Sequence, residues 1–442
     1  MKRIRVLLCA CMLCLLACVK TPEDVAIVNK GVDYLELAQT VSEHPFLAPS
    51  KVVNSSEPDE KISVRFEADV NCPEGSYPIL QVSRRCFDEN TLYDLAYFLA
   101  EGGTALYEPW AACTRELREE FVSLQEYDGS LPDFIDEGIL EERKSELLKL
   151  IEDSDPTIYG TQYTFRDTDE EILYPAYGYG SVDDELDRFI MVARFDMNLG
   201  YNAFCFLRDR DASVYSTAGL PKTLQVDAPL IGEKEALAAA NEFLEQFTDG
   251  TYVLSDAKEA LVLHYVTRME SAWLLTFIRQ IKGIPSICPT DFAALNPDML
   301  PSVGAPWAPE VLTIGVDQHG IMYLDWMGIS SVGETLVEDC RFEPFETVIK
   351  RFTNQITYDF AGQQTSSKDK YAIRVKEISL RYGLLSEKDK PNLGRYVPLW
   401  EFVYDIGYEN EEAVSEERVY LNAIDGSYVE PRVTNTYLMG LS

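Results

Sequence analysis

A chain of 442 residues with 46% hydrophobic and 11% aromatic residues has ample material for a core, and its length suggests two or three domains. This composition excludes disorder over most of the chain. The formal net charge of -35 excludes the basic footprint that nucleic-acid binders need, so no nucleic-acid partner is expected.

The first segment, residues 1–17, has the form of a signal peptide. Three basic residues within the first five positions precede an uninterrupted apolar run over residues 6–17. This run is about 12 residues long, whereas a membrane-spanning helix needs roughly 20. No later segment is long and uncharged enough to span a membrane, so we predict an exported chain that is not transmembrane.

The apolar run ends in Leu15-Leu16-Ala17-Cys18, which resembles a lipobox. We therefore predict cleavage before Cys18 and attachment of lipid, including palmitate-type acyl chains, to its thiol. Removal of residues 1–17, with their three bases and no acids, leaves a mature chain of charge -38. Two acyl chains suffice for stable anchoring, which predicts a lipoprotein on the extracytoplasmic face of the cell membrane. One alternative is a secretory signal peptide followed by a cysteine that carries no lipid. The other is lipidation at Cys11, which would leave the signal peptide with too short an apolar core.

Six cysteines lie beyond the lipobox, and none of them forms a CxxC pair. An oxidising compartment would allow up to three disulfides among them, with fifteen possible connectivities. Buried free thiols are an equally good interpretation. The six are Cys72, Cys86, Cys113, Cys205, Cys288 and Cys340.

Residues 18–60 are polar, rich in proline and without sustained periodicity, which indicates a lipidated tether. An N-terminal α+β domain is predicted over residues 61–225. Its predicted strands are 62–70, 77–82, 161–165, 189–195 and 203–207, and its predicted helices are 89–100, 114–127 and 137–152.

The second half of the chain has a pattern that predicts an internal duplication of about 107 to 109 residues. Residues 226–334 and 335–442 each begin with an amphipathic helix, at 233–244 and 345–352, followed by strands. The predicted strands are 252–266, 273–281, 311–316 and 321–326 in the first copy, and 371–380, 397–404, 419–423 and 428–429 in the second. The fold class predicted is α+β, with the N-terminal domain followed by tandem helix-on-antiparallel-sheet modules.

Two turns align between the copies. The segments 315–320 and 422–427 both place Asp and Gly between alternating apolar strands, which is typical of tight hairpins because these residues tolerate positive φ.

Short motifs in these copies resemble PepSY-like and YycH/YycI-like extracytoplasmic modules. They are Val397-Pro-Leu-Trp-Glu-Phe402, Leu421-Asn-Ala-Ile-Asp-Gly-Ser-Tyr428 and Gly283-Ile-Pro285. Together with the lipobox, the tether motif Val28-Asn-Lys-Gly31 and the segment Ala305-Pro-Trp-Ala-Pro-Glu310, the chain resembles an uncharacterised family of lipoproteins from gut clostridia. The resemblance implies binding or inhibition of partner proteins at the cell surface. Pro398, Trp400, Asp425 and Gly426 also fit purely structural roles in turns and core.

The sequence contains few of the residue patterns that are typical of catalytic sites. The histidines are His44, His264 and His319, without an HExxH pair, and no G-x-S-x-G elbow is present. Acidic runs at 167–171, 183–185 and 209–211 lack the glycine and terminal glutamate of an EF-hand, which favours solvated loops over calcium sites. The sequence therefore nominates no catalytic, cofactor-binding or metal-binding residue, and Cys18 is its one predicted site.

The five tryptophans can form either a sugar platform or parts of the core, and the placement of three of them in predicted strands favours the core. They are Trp110, Trp273, Trp307, Trp326 and Trp400. We expect a surface binding or regulatory lipoprotein with an extracytoplasmic protein partner. The alternatives are an extracellular hydrolase acting on wall, glycan or peptide substrates through carboxylates, and a passive structural or scavenging lipoprotein.

Overall fold

The structure of the protein is a computed structural model. It describes residues 34–39, 46, 48–99, 105–107, 118, 121–122, 124–125, 137–153, 172–182, 185–196, 201–208, 212–217, 228–249, 251–264, 268–288, 310–361, 370–387, 390–409 and 415–429.

These residues form helices and a larger set of strands. The helices are α1 (Tyr34–Gln39), α2 (Glu89–Leu99), α3 (Glu137–Asp153), α4 (Glu233–Phe247) and α5 (Phe345–Ala361). The strands are β1 (Lys51–Asp59), β2 (Ile62–Asn71), β3 (Ile79–Arg84), β4 (Ala105–Tyr107), β5 (Ile172–Val182), β6 (Glu185–Asp196), β7 (Tyr201–Leu207), β8 (Ala212–Ser216), β9 (Tyr252–His264), β10 (Arg268–Ile281), β11 (Ile284–Pro285), β12 (Val311–Asp317), β13 (Gly320–Met327), β14 (Ser330–Val337), β15 (Tyr371–Glu387), β16 (Lys390–Tyr408), β17 (Ser415–Asn422) and β18 (Tyr428–Val429).

The fold is mostly β, with two large curled sheets, so the predicted α+β class with tandem helix-on-antiparallel-sheet, PepSY-like modules was wrong. One physical reason is that the sheets also contain strands from outside the predicted modules. Strand β7 of the N-terminal half pairs with β13, and β2 pairs in parallel with β15. A second reason is that β1, β5 and β14 carry polar residues or glycines, without the apolar alternation that marks a half-buried strand.

The described residues form two compact units, each drawn from separate parts of the chain. Unit 1 lies within residues 1–79, 335–381 and 397–430, and unit 2 lies within residues 80–334 and 382–396. The sequence analysis divided the chain into consecutive segments instead, and those boundaries stay a prediction. Residues 51–59, expected to belong to a tether, form the edge strand β1 of unit 1.

Unit 1 is built on a sheet with the strand order β1-β2-β15-β16-β17-β18. Strand β2 buries every second residue from Ile62 to Ala68, as its apolar alternation predicts. Helix α5 packs on this sheet and buries Val348, Phe352 and Ile356, which recur at the four-residue spacing of one helix face. The spacing explains why the helix continues well beyond residue 352, where the sequence analysis ended it.

The turn between β17 and β18 depends on Gly426, whose φ of 68° lies in the left-handed region. The Asp425 carboxylate accepts hydrogen bonds from the Ser427 amide at 2.8 Å and from its hydroxyl at 2.6 Å. The Gly426 amide donates to the Asn422 carbonyl at 2.8 Å. The tight turn predicted from the Asp-Gly pair is therefore confirmed.

We expect Gly426→Ala to lower the free energy of unfolding by about 1–2 kcal/mol, because an L-residue with a Cβ is disfavoured at this φ. Chemical denaturation of purified protein measures the change. Gly426→Asn is the control, since Asn visits the left-handed region more readily and its loss should be smaller. Equal stability of the Ala variant and the unmodified protein would contradict this role.

Unit 2 contains a ten-stranded sheet with the path β4-β5-β6-β7-β13-β12-β10-β9-β8, and β11 pairs with β10. One face of this sheet is covered by α2 and α4. The helix side chains in this core recur at helical spacing and are Leu92, Leu95, Ala96 and Leu99 of α2, and Ala236, Ala240, Phe243, Leu244 and Phe247 of α4. The sheet presents Leu324 and Trp326 of β13 to the same core.

Within the ranges that the structure describes, no helix has the length and apolar character needed to cross a bilayer.

Candidate functional site

Several residues singled out from the sequence lie outside the described residues: the lipobox with Cys18, the acids of 167–171, His44, Cys113, Trp110 and Trp307. Lipidation of Cys18 stays a prediction. Among the cysteines that the structure does describe, Cys72, Cys205 and Cys340 are free thiols.

The described tryptophans support the core interpretation. Trp326 and Trp400 are completely buried, and the Trp273 indole N–H donates to the Ile231 carbonyl at 3.1 Å. His319 lies in the β12–β13 turn, where its amide donates to Asp317 at 2.7 Å. These residues stabilise the fold.

A buried ion pair between Arg279 and Glu310 is the first polar cluster of unit 2. The Arg279 Nε donates to Glu310 Oε2 at 2.7 Å, and the two side chains are 2% and 0% exposed. The remaining Arg279 donors reach Asp249, the Thr251 hydroxyl at 3.1 Å and the Ser330 carbonyl at 3.1 Å. A buried charge pair of this kind is tolerated only when its other hydrogen bonds are made.

Several hydrogen-bond donors also surround the Glu310 carboxylate. Its Oε1 accepts from the Tyr252 hydroxyl and, at 3.2 Å, from the Trp326 indole. Its Oε2 also accepts from the Ser330 hydroxyl at 2.5 Å and lies 3.5 Å from the Tyr396 hydroxyl. Burial, and then the Glu310 charge, raise the pKa of both tyrosines, so they remain neutral donors. Because its hydrogen bonds are satisfied and its centre is sealed from solvent, we assign this cluster a structural role.

A second cluster lies on the face of the ten-stranded sheet that is opposite to α4. Because Leu324 and Trp326 point toward α4, Asp325 between them points the other way. Cross-strand partners share a face, and the register aligns four residues across β10, β12, β13 and β7. We call this line the Asp325 row, and its residues are Thr276, Thr313, Asp325 and Cys205. All four are half-buried.

The Asp325 row lies between two apolar lines of the same face. On one side every residue is buried: Ile278, Val311, Met327 and Ala203. On the other side Leu274, Tyr323 and Leu207 are half-buried. Tyr323 and Leu207 also pack against a small apolar group of Ala212, Val262, Ala272 and Met322. The row is therefore a polar strip in an apolar and partly accessible surface.

The Asp325 carboxyl lacks the hydrogen bonds that burial demands. Its Oδ1 is buried and has no hydrogen-bond partner among the described residues. The carboxyl is in a hydrogen bond with the Tyr323 side chain. An unpaired buried acceptor costs about 1–3 kcal/mol, and a charged one costs more. In native proteins such a group calls for an explanation, such as a catalytic role or a hydrogen bond to a bound water or ion.

Burial raises the pKa of Asp325 to about 6, against an opposing contribution from the Tyr323 hydrogen bond. Burial, and then the charge of Asp325, also raise the pKa of Tyr323 and of the Cys205 thiol. Tyr323 and Cys205 are therefore neutral at physiological pH and leave the carboxylate uncompensated.

Two further charged groups of unit 2 are already engaged with partners. Arg208, which directly follows β7, donates to Asp317. Lys258 pairs with Asp256 at 2.5 Å on β9. Asp256 is the cross-strand partner of Thr276 on β9, three strands away from Asp325 and outside the Asp325 row, and its side chain is 43% exposed. Within the described ranges no three His, Cys, Asp or Glu side chains converge as metal ligands.

Gly315 positions Tyr323 beside the row. The two residues face each other across β12 and β13, and a Cβ on Gly315 would lie 2.8 Å from the Tyr323 Cβ. That separation is too short for two carbon atoms, and a Cβ cannot move away as the end of a long side chain can. The glycine therefore makes room for the tyrosine that contacts Asp325.

We expect Gly315→Ala to lower the free energy of unfolding by about 1–3 kcal/mol through this overlap. The same variant should move the Tyr323 ring, which two-dimensional NMR of tyrosine-labelled protein detects. Gly333→Ala in β14 is the matched control, because its Cβ would meet nothing closer than 3.4 Å. If both variants lost the same stability, the close approach to Tyr323 would not be the cause.

The residues of the Asp325 row were not predicted as a site from the sequence, although one signal for them was present. The predicted strand 321–326 has hydrophobic residues at every position except Asp325, and an acid within such a strand is unusual. The alignment with Cys205 and Thr313 depends on strand pairing, which the local pattern does not give.

No family model matches the chain, and no curated protein matches it. Among solved structures, it is similar to an uncharacterized protein from Eubacterium rectale ATCC 33656. The two are 12% identical, the match covers 86% of this chain and 94% of that chain, and the TM-score is 0.36.

Proposed function

We propose that this protein is a lipid-anchored lipoprotein of the extracytoplasmic face that binds a ligand on the Asp325 row. The observation that carries the proposal is the buried Asp325 Oδ1, which has no hydrogen-bond partner among the described residues. The side chains of the row are half-buried, so part of its surface is accessible, and a ligand would reach the buried Oδ1 through a shift of these side chains. A bound donor would complete the hydrogen bonds of this carboxyl, as binding sites commonly do with a few placed polar groups.

The location in this proposal depends on Cys18. Lipidation there would hold the folded units outside the cell, where an extracytoplasmic protein or small molecule is the available partner. Metabolic labelling with a fatty-acid probe tests it, and Cys18→Ala should lose the label. Cys11→Ala is the control and should keep the label, since Cys11 would leave too short an apolar core. Equal labelling of the Cys18 variant and the unmodified protein would remove the surface assignment.

The binding role is tested by placing a photo-crosslinking amino acid at Thr313 in the producing bacterium. We expect a specific adduct at this position, because Thr313 is the cross-strand neighbour of Asp325. The control position is Glu259, an exposed residue of β9 that is paired with Trp273 on the helix-covered face. The Asp325→Asn substitution should reduce the Thr313 adduct. Equal adducts at Thr313 and Glu259 would contradict a site on the row.

Hydrolysis through carboxylates is the outcome that would replace this proposal. Turnover of wall, glycan or peptide substrates by the purified protein, abolished by Asp325→Asn, would make Asp325 a catalytic acid instead of a binding group.

A further inference from the structure

We infer that the Asp325 row binds a protonated primary amine, with the ammonium group on the unpartnered Oδ1 of Asp325. The inference rests on the proposed function and names the ligand class of the same site. The amine has two possible sources, a small free amine or a lysine side chain of a partner, and the chemistry of recognition is the same for both.

The negative charge of Asp325 favours a cationic ligand. At neutral pH the Asp325 carboxylate is a negative charge in a half-buried setting, and its neighbours Tyr323 and Cys205 are neutral. Arg208 is engaged by Asp317, and Lys258 is engaged by Asp256. A buried charge is stable only when it is paired. A cationic ligand supplies the charge that no described residue supplies.

The second argument is hydrogen-bond geometry, which favours ammonium over guanidinium. A guanidinium group binds a carboxylate best through two parallel hydrogen bonds, one to each oxygen. The Asp325 carboxyl already accepts from Tyr323, and Oδ1 remains open. An ammonium group is a compact charge with three donors, so it can use Oδ1 together with an adjacent hydroxyl oxygen such as that of Thr313.

The third argument is the apolar setting of the row. The aliphatic part of a lysine side chain or an alkylamine is apolar and buries against apolar surface while its charged end meets a polar group. Tyr323 and Leu207 beside the row pack against the apolar group that includes Met322 and Val262. This face of the sheet therefore has apolar side chains against which the alkyl chain can pack, and Asp325 Oδ1 can accept a hydrogen bond from the ammonium group.

The test is a calorimetric or NMR titration of the purified full chain in detergent with n-butylamine, and separately with a blocked Gly-Lys-Gly peptide. We expect saturable binding at pH 7.5 that weakens about tenfold at pH 5, since the ammonium needs the carboxylate and Asp325 protonates near 6. Butan-1-ol, which has the same chain without the charge, should not saturate. Tighter binding of the peptide points to a protein partner, whereas equal or weaker binding points to a free amine, and both support the site.

The decisive variant is Asp325→Asn, for which we expect a loss in amine affinity of about tenfold or more. Asp256→Asn is the matched control and should stay within about twofold, because the Asp256 side chain is 43% exposed and already paired with Lys258. Circular dichroism of both variants establishes that they are folded.

Absence of saturation by both amines, or equal amine affinity of the Asp325→Asn variant, would overturn the amine assignment. If the Thr313 crosslink in cells still formed, only the ligand class would be wrong. If the crosslink also failed, the proposed binding function would fall with it.

Discussion

Replacing Glu310 with glutamine is expected to lower the free energy of unfolding of unit 2 by about 3–5 kcal/mol, which is the usual effect of breaking a buried ion pair. The substitution keeps the shape of the side chain but leaves the Arg279 charge, which is 2% exposed, with Asp249 as its remaining charged partner. The new amide would also place N–H donors against the donors of Tyr252 or Ser330. Denaturant unfolding followed by fluorescence measures the loss, since the Trp326 indole contacts Glu310 directly.

An exposed ion pair provides the control for this prediction. Arg65 and Glu67 pair on β2 with side chains that are 65% and 58% exposed, so Glu67→Gln should change stability by about 0–1 kcal/mol. The double variant Arg279→Met with Glu310→Leu should be more stable than Glu310→Gln, because it removes both charges together. A loss below about 1 kcal/mol for Glu310→Gln would show that water screens the pair.

The spacing of apolar residues along the chain correctly predicted those helices and strands that bury only one of their faces. Strand β2, helix α2 and helix α4 each carry an apolar face with the period of their element, and their bounds differ from the predicted ones by few residues. The Asp-Gly turn at 425–426 was predictable for the same reason, since its chemistry lies within a few residues.

The class of the fold was not predictable from these patterns. Strand β1, Lys51–Asp59, is polar and exposed over most of its length and forms through its antiparallel pairing with β2. The parallel pairing of Ile62 with Tyr371 joins segments about 300 residues apart, and no local signal specifies it. The predicted α+β class of helix-on-antiparallel-sheet modules was wrong because each sheet takes strands from both halves of the chain.

The same limit explains what was missed in the candidate site. Alternation along β13 suffices to place Asp325 opposite Trp326, so the orientation of the acid was within reach of the sequence. Its burial and its open hydrogen-bond position depend on β7 and β12, which come from distant parts of the chain. A site made by cross-strand neighbours is visible only when the register is known.

Replacing Asp325 with asparagine is expected to stabilise unit 2 relative to the unmodified protein as pH rises, with a gain of about 2 kcal/mol between pH 4 and pH 7. The pKa of this carboxyl rises from 3.8 to about 6 on folding, so the native state binds more protons than the unfolded state between these values. The stability that the protonated carboxyl contributes is therefore complete below about pH 4 and is lost as pH passes through about 6. Asparagine cannot ionise and avoids this loss.

The measurement is the difference in unfolding free energy between Asp325→Asn and the unmodified protein at a series of pH values. Burial raises the pKa of Asp249, but the charge and hydrogen bonds of Arg279 outweigh it, and the hydrogen bond with Lys376 lowers the pKa of Glu416. Both acids lose their contribution as pH falls, but they act in both proteins and cancel in the difference. Asp256→Asn should give a difference without this rise, because the Asp256 side chain is 43% exposed and already paired with Lys258.

A difference for Asp325→Asn that does not change with pH would mean that a cation already compensates the carboxylate in the folded chain. Added n-butylamine at pH 7.5 should remove part of the difference by stabilising only the protein that keeps Asp325, which connects the stability of unit 2 to occupation of the row.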